Sequence, residues 1–418
     1  MTTAPPAKSP LSGITVLALE QAIAAPLCTR HLADLGARVI KVEQPGTGDA
    51  SRHYDGVVRG LAAHFVWLNH GKQSAALDLT EPSDRNVFTR LLERADVLVS
   101  NLAPGALDRL GLNPDTLAER YPRLIIVDIS GYGRGGPLDH KRAYDLLVQA
   151  EAGSCAITGL PGQPAKSGIP VADIGTALYA YSSVLAALYE RERTGRGAVI
   201  PVAMLDVAAE MMGSSLNQVL HGGGEPQPVG MGLPIVAPYG AYPTADGQTA
   251  VLGTTSDREW RRLTKDLLER PDLAEDPRYA RNEDRVRHRA ELDRIVGEWC
   301  AQRDLAEIQR RADQAGIGNA RLNGVTDLAE HEQLKSRGRW REVGSEVGPV
   351  PALLPPALAT GWPVLSGRVP ALGEHTDAIK AEIKDLHNKR GRRSRYPSTR
   401  SNTAARPWPP PMHIVSRP

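Results

Sequence analysis

ITVLALEQAIAAPLCTRHLADLGARVIKVE, residues 14–43, reads as a strand, a helix and a second strand. ITVLALE (14–20) and RVIKVE (38–43) are short apolar runs rich in β-branched residues. PLCTRHLADLG (26–36), between them, carries apolar residues at helical spacing. Two strands joined by a helix lie parallel in one sheet, because a tight hairpin cannot make that connection. The pattern continues outward. DVLVSNL (96–102), RLIIVDIS (123–130) and AVIPVAM (198–204) supply further strands, and PSDRNVFTRLLERA (82–95) a helix opened by Pro and an acid. Residues 1–200 therefore predict an α/β fold built on a parallel sheet.

The texture changes after that. Gly222 to Pro238 is dense in Gly and Pro and reads as a linker; GAYPTADGQTAVLG (240–253) is a hairpin turning at Asp246-Gly247. Charged helical segments follow near 256–268, 282–302 and 304–315. A chain of 418 residues calls for two domains. The division predicted is a large domain over 1–205, a linker helix and Gly-rich loop over 206–238, and a small α+β domain over 239–324. Residues 325–387 return to the large domain, and 388–418 form a basic, Pro-rich tail expected to be disordered.

Composition excludes several classes. Eight Lys/Arg and no acid fall in 388–418, so a net charge of +2 leaves −6 on residues 1–387, an unfavourable body for binding nucleic acid. Cys28, Cys155 and Cys300 are far apart and form no CxxC pair. No disulfide scaffold and no metal site are expected, and the compartment is expected to be the reducing cytoplasm. The start, MTTAPPAKSPLSG, has no apolar signal core. Ile174 to Tyr189, broken by Thr, Tyr and Ser, reads as a buried helix short of a membrane span.

GYGRGG (131–136) fits a dinucleotide fingerprint, but Pro-Leu-Asp-His-Lys-Arg follows where a helix should open, and Glu151 lies in a helical context. NAD is not expected; the loop reads as the rim of a site at the sheet's C-terminal edge. In GIPVADIGTALYAYSSVLAALYERE (168–192), Asp173 precedes a long helix and is a natural N-cap. Such a position also lowers a carboxylate's pKa and orients it, which suits a nucleophile. NLAPGALDRLGL (101–112) is either a plain loop or a ligand edge with Arg109 on phosphate. HGGGE (221–225) is either a linker or a flap whose N–H groups hold an oxyanion. Cys28 and Cys300 sit in amphipathic helical patterns and are expected in the core.

Together LSGITVLAL, the Ala-Ala-Pro helix start at 24–26, LGARVIKVEQPGTGD, NLAPGALDRLGL, ISGYG, RAYDLLVQAEAG, IPVADIGTALYA, RERTGRGAVIPVAMLD and PALGEHTD resemble the family III CoA-transferases. The likeness runs from about Leu11 to Leu386. It implies an interlocked homodimer, with a Rossmann-like large domain built from both chain ends and an inserted small domain. It implies an acyl-CoA substrate bound by Ala24, Asn101, Leu102, Arg109 and Arg142. Asp173 falls at the catalytic aspartate, Tyr144 and Asp145 beside it, and Gly223 and Gly224 in a mobile loop that offers oxyanion donors. Ile23 and Gln44 depart from the pattern of several members on the CoA side.

The implied chemistry is transfer through an aspartyl anhydride and an aspartyl-CoA thioester. The related 2-methylacyl-CoA racemases use a His-Asp pair within Gly-His-Asp. Here that triplet is Ala143-Tyr144-Asp145, which removes one of the two acid-base groups that inversion needs. NARLN (319–323) and LKSRGRWREVGSEVGPVPALLPP (334–356) resemble members acting on short dicarboxylates with succinyl-CoA as donor. Mesaconate, itaconate, citramalate and malate are then the acceptors to consider, with Arg321 reaching a distal carboxylate.

Overall fold

The computed structural model describes residues 9–365 and 367–393. Its centre is a six-stranded sheet: β1 (Thr15–Leu19), β2 (Arg38–Glu43), β3 (Lys72–Ala76), β4 (Val97–Ser100), β5 (Ile125–Ser130) and β6 (Val199–Ala203). The order is β3-β2-β1-β4-β5-β6 and every pairing is parallel, Val16 lying opposite both Val39 and Val97. The chain reverses direction of travel across the sheet between β1 and β4, and above that point open α/β sheets bind ligands.

Alternate residues of each strand face opposite layers. On one face Val16, Val99 and Val127 pack with Leu27, Cys28 and Leu32 of the helix Ala24–Asp34 and with Ala177, Ala180 and Val184 of the helix Val171–Thr194. On the other, Leu17, Ile40, Leu98 and Ile126 meet Phe88 and Leu91 of the helix Pro82–Leu92. Ile379 and Ile383 of the helix Thr376–Arg393 complete that layer, so the chain's late segment returns to the first sheet. Val171–Thr194 is 24 residues long and, by length and composition, apolar enough to span a bilayer, more so than its polar interruptions suggested. In this fold its small residues are spent on the sheet.

Strand β3, KQSAA, carries no β-branched residue, and its hydropathy does not announce it. Its Lys72 is buried because partners are supplied. Lys72 Nζ donates to Glu20 Oε1 (2.6 Å), the Pro26 carbonyl (2.9 Å) and Asn69 Oδ1 (2.9 Å). Lys41 Nζ, equally buried, reaches Asp49 Oδ2 at 2.7 Å and Glu20 Oε1 at 3.3 Å. Burial drives the Lys72 ammonium down to about 8 against the pull of Glu20. Removing one member strands its partners in low dielectric. Lys41→Met is therefore expected to cost about 3–5 kcal/mol in urea unfolding; a loss below about 1 kcal/mol would show that the network contributes no more than a surface pair.

The chain forms two compact units. One comprises the residues up to Glu151, Ile169–Met211 and those from Gly338 on; the other comprises Ala152–Gly168 and Met212–Arg337. In the second, Thr249–Gly253 is the middle strand of an antiparallel sheet between Tyr239–Pro243 and Gly318–Arg321, with Asp246-Gly247 in its turn. Trp260, Tyr279, Leu292, Trp299, Cys300 and Ile308 fill its core. The 152–168 segment and the return at Gly338, later than 325, were not visible in local pattern. The last helix reaches Arg393, past the start of the basic segment; the remainder of the tail reading, 394–418, lies outside the described residues.

Candidate active site

The site forms where β1, β4 and β5 end. After β1 the chain turns through Gln21 and Ala22, the latter at φ +60°. Two side chains hold this unfavourable turn. Asp49 Oδ1 accepts the Ala22 N–H (3.1 Å), while Asn101 accepts the Gln21 N–H (2.9 Å) and donates to the Gln21 carbonyl (2.8 Å). Asn101, read from sequence as a ligand contact, thus spends its amide on the turn. Ala24, buried, opens the next helix. Leu102 lines a cleft of ≈ 150 Å³ with Leu19, Gln44, Leu77, Thr80 and Leu110 above the ends of β1 to β4.

Arg109, at the end of the short helix Ala106–Arg109, and Arg142 are exposed and have no ion-pair partner among the described residues. Arg134 nearby in sequence is paired with Asp128 at 2.6 Å. The GYGRGG loop opens no helix; the next begins at Asp145. Gly131 matters for a steric reason. A Cβ there would lie 2.1 Å from the Ala143 Cβ, so glycine lets the β5 loop pass against Ala143.

Asp173 is the third residue of the helix Val171–Thr194, whose N-cap, Pro170, makes no side-chain cap bond. The expectation that Asp173 caps this helix is therefore corrected. Asp145 does so from another element: its Oδ1 accepts the N–H groups of Ala172 (2.9 Å) and Asp173 (3.3 Å), and its Oδ2 accepts from Gln149 at 2.5 Å. The expected lowering of the Asp173 carboxyl is reversed as well. Burial, with the Asp145 charge beside it, pushes it up to about 7. The helix-start donors are engaged by Asp145, which leaves Asp173 partly desolvated and facing a like charge.

Tyr144 is 64% exposed. Tyr54, missed in the sequence, belongs here. Burial raises its phenol, and the charges of Asp49 and Asp173 and the Tyr144 hydroxyl act in the same direction. Only its place just after the turn Ala50–His53 could have drawn attention.

Gly223 and Gly224 lie in the second unit. The N–H groups of Gly222 and Gly223 close the preceding helix on the carbonyls of Val219 and Gln218, leaving Gly224 the donor without a backbone partner among the described residues. Arg321 is held by Asp327 (2.5 Å) and Asn323 (2.7 Å) of its own unit. Cys28 and Cys300 are buried; burial drives the Cys28 thiol far up and the Cys300 thiol to about 12, so neither is a thiolate at neutral pH.

The fold is an α/β sheet with a cleft above the ends of its strands and a partly buried carboxylate, Asp173, at a helix start. The sequence profile of CoA-transferase family III matches residues 11–376. The chain belongs to that family and is a CoA-transferase. It is 34% identical over 397 residues to the succinate–glutarate CoA-transferase of Agrobacterium fabrum, covering 92% of this chain and 98% of that one. It is 34% identical to the succinyl-CoA:mesaconate CoA-transferase of Haloarcula hispanica, over 90% and 96% of the two chains. Among solved structures, a CAIB/BAIF family protein from Brucella suis superposes with a TM-score of 0.79 at 33% identity, covering 90% of this chain and all of that one.

Proposed function

We propose that this enzyme moves CoA from an acyl-CoA donor, succinyl-CoA foremost, to a short dicarboxylic acid, with Asp173 as nucleophile. The observation that carries the reading is the placement of Asp173: partly buried, at a helix start, with the capping donors assigned to Asp145. Such a carboxylate is desolvated enough to attack yet close enough to neutrality to be ionised at pH 7.

Asp173 attacks the donor thioester carbonyl; the C–S bond breaks and CoA leaves as thiolate, giving a mixed anhydride. The thiolate attacks the aspartyl carbonyl of that anhydride, which releases the donor acid and leaves an aspartyl-CoA thioester. The acceptor carboxylate then runs the two steps in reverse. The anhydride conserves the thioester's free energy through the exchange. Each tetrahedral oxyanion needs N–H donors, a role suited to Gly224, and losing one such donor typically costs about 100-fold in rate.

CoA lies over the crevice, its phosphates on Arg109 and Arg142 and its chain past Leu102 and the Ala24 turn. Arg109→Ala is expected to weaken CoA binding about 10-fold or more in calorimetry, since a charge-assisted bond contributes about 1.5–3 kcal/mol; unchanged affinity would reassign the phosphate contact. Leu178, Tyr179 and Tyr189, exposed along one helix of the single chain, support a homodimer, interlocked in our reading, and we place the enzyme in the cytoplasm. Light scattering tests the dimer, which a monomeric mass would exclude.

The second reading, α-proton transfer by the Asp173–Asp145 pair, is favoured by the raised Asp173 carboxyl. One experiment separates the two. The enzyme is incubated with succinyl-CoA and an acceptor acid, and hydroxylamine is added to trap acyl-aspartate. Mass spectrometry is expected to find a hydroxamate at Asp173. Deuterium exchange at the α-carbon with no adduct would sink the transferase reading.

A further inference from the structure

The turn after β1 carries a strain that one buried side chain supports. Ala22 sits at φ +60°, a conformation that a residue other than Gly adopts only at a cost. The turn borders the cleft above the strand ends, since Glu20, Gln21, Asp49 and Leu102 all line it. The Ala22 carbonyl and the Ile23 N–H make no hydrogen bond among the described residues, and both residues are half-buried. One acceptor and one donor are thus left for a ligand, and the pantetheine arm of CoA carries amides that match them.

Asp49 keeps the turn in this shape, and it has two duties. Its Oδ1 accepts the Ala22 N–H (3.1 Å), the Ser51 N–H (2.9 Å) and the Ser51 hydroxyl (2.9 Å), while its Oδ2 accepts from Lys41 Nζ at 2.7 Å. Its own N–H donates to Glu43 (3.0 Å), which Arg52 and Ser74 hold in turn. The side chains of Asp49 and Lys41 are fully buried. Only a carboxylate presents acceptors on both sides, because an amide has one oxygen. The neighbouring charges balance without this pair: Glu20 keeps Lys72 at 2.6 Å and Glu43 keeps Arg52 at 2.8 Å.

We propose that Asp49 is a positioning residue for CoA: clamped by Lys41, it holds the Ala22 turn in the conformation that the pantetheine arm binds. The inference rests on the proposed place of CoA in this crevice. The test exchanges Lys41 and Asp49 together, because removing a buried pair whole leaves no unmatched charge. Affinity for free CoA is measured by calorimetry, and urea unfolding checks that each variant is folded.

Lys41→Met/Asp49→Leu, which takes the acceptor from the Ala22 N–H, is expected to weaken CoA binding about 10-fold, the cost of a left-handed alanine left unsupported. Lys41→Met/Asp49→Asn, with an oxygen that Lys41 no longer claims, is expected to recover most of the affinity. Adding Ala22→Gly to the leucine variant is expected to do the same, because glycine takes that φ without strain. A general loss of packing would not respond to it. If the leucine variant does not fold, Asp49→Asn alone, in which Lys41 competes for the one amide oxygen, is compared with and without Ala22→Gly. CoA bound as tightly by the variant as by wild type, or a weakened affinity that Ala22→Gly leaves unmoved, overturns the inference. Arg109→Ala separates this from a wrong place for CoA. If Arg109→Ala weakens binding and the exchange at Asp49 does not, only the role of Asp49 falls; if neither does, the placement of CoA falls with it.

Discussion

Asp173→Asn is expected to abolish CoA transfer, by about 10⁴-fold or more as for other covalent nucleophiles, while stabilising the fold above pH 7. The two effects have one cause. In the unfolded chain the carboxyl titrates near its ordinary 3.8, and in the fold it is pushed up to about 7. Between those values the folded state holds a proton that the unfolded state has released. Stability therefore falls as pH rises through that window and levels off above it. A shift of three units corresponds to about 4 kcal/mol at most, and solvent relaxation reduces it, so a gain on the order of 2 kcal/mol is the practical expectation for the neutral variant. Urea unfolding at pH 8 is expected to show Asp173→Asn more stable than wild type, and at pH 4 the difference is expected to close. Equal stability at both pH values would mean that Asp173 carries no strain from burial. A gain in stability with a loss of turnover is what a desolvated nucleophile implies.

How far sequence reached toward this picture depends on which interactions do the positioning. Five of the six sheet strands were legible because ITVLALE, RVIKVE, DVLVSNL, RLIIVDIS and AVIPVAM bury apolar faces. The hairpin at Asp246-Gly247 and the helices from Asp257 to Ala315 were legible from turn residues and charge periodicity. Strand β3 was not, because Lys72 is buried by Glu20 and Asn69, which come from distant parts of the chain. The same limit applies at the site. Asp173 was singled out from sequence, but its raised carboxyl depends on burial and on Asp145, twenty-eight positions earlier in the chain. Residue type said cap; tertiary structure gave the cap to Asp145. Asn101 shows the converse, a residue at the right edge whose amide is committed to Gln21. Tyr54 left no periodic signal at all, since a half-exposed side chain in a loop repeats nothing.

The exchange of roles between the two aspartates leads to the second large effect. Asp145→Asn keeps an oxygen able to accept from Ala172 and Asp173 but removes the charge facing the nucleophile. Gln149, which now donates to Asp145 at 2.5 Å, can turn its amide to accept from the new side chain. What then still raises the Asp173 carboxyl is its own burial. Its carboxyl is expected to ionise at lower pH, so the acidic limb of the pH profile of kcat/KM moves from about 7 toward acid by about a unit. Asp145→Ala removes both the charge and the acceptor. The helix start then loses its cap, at about 1–2 kcal/mol, and the nucleophile its orientation, so activity is expected to fall about 100-fold or more at every pH. The contrast is the test: a profile shifted in Asp145→Asn and lowered throughout in Asp145→Ala assigns Asp145 both jobs. If the asparagine variant instead loses as much rate as the alanine variant with its limb unmoved, the charge itself is what the reaction requires, and Asp145 takes part in proton transfer rather than in positioning.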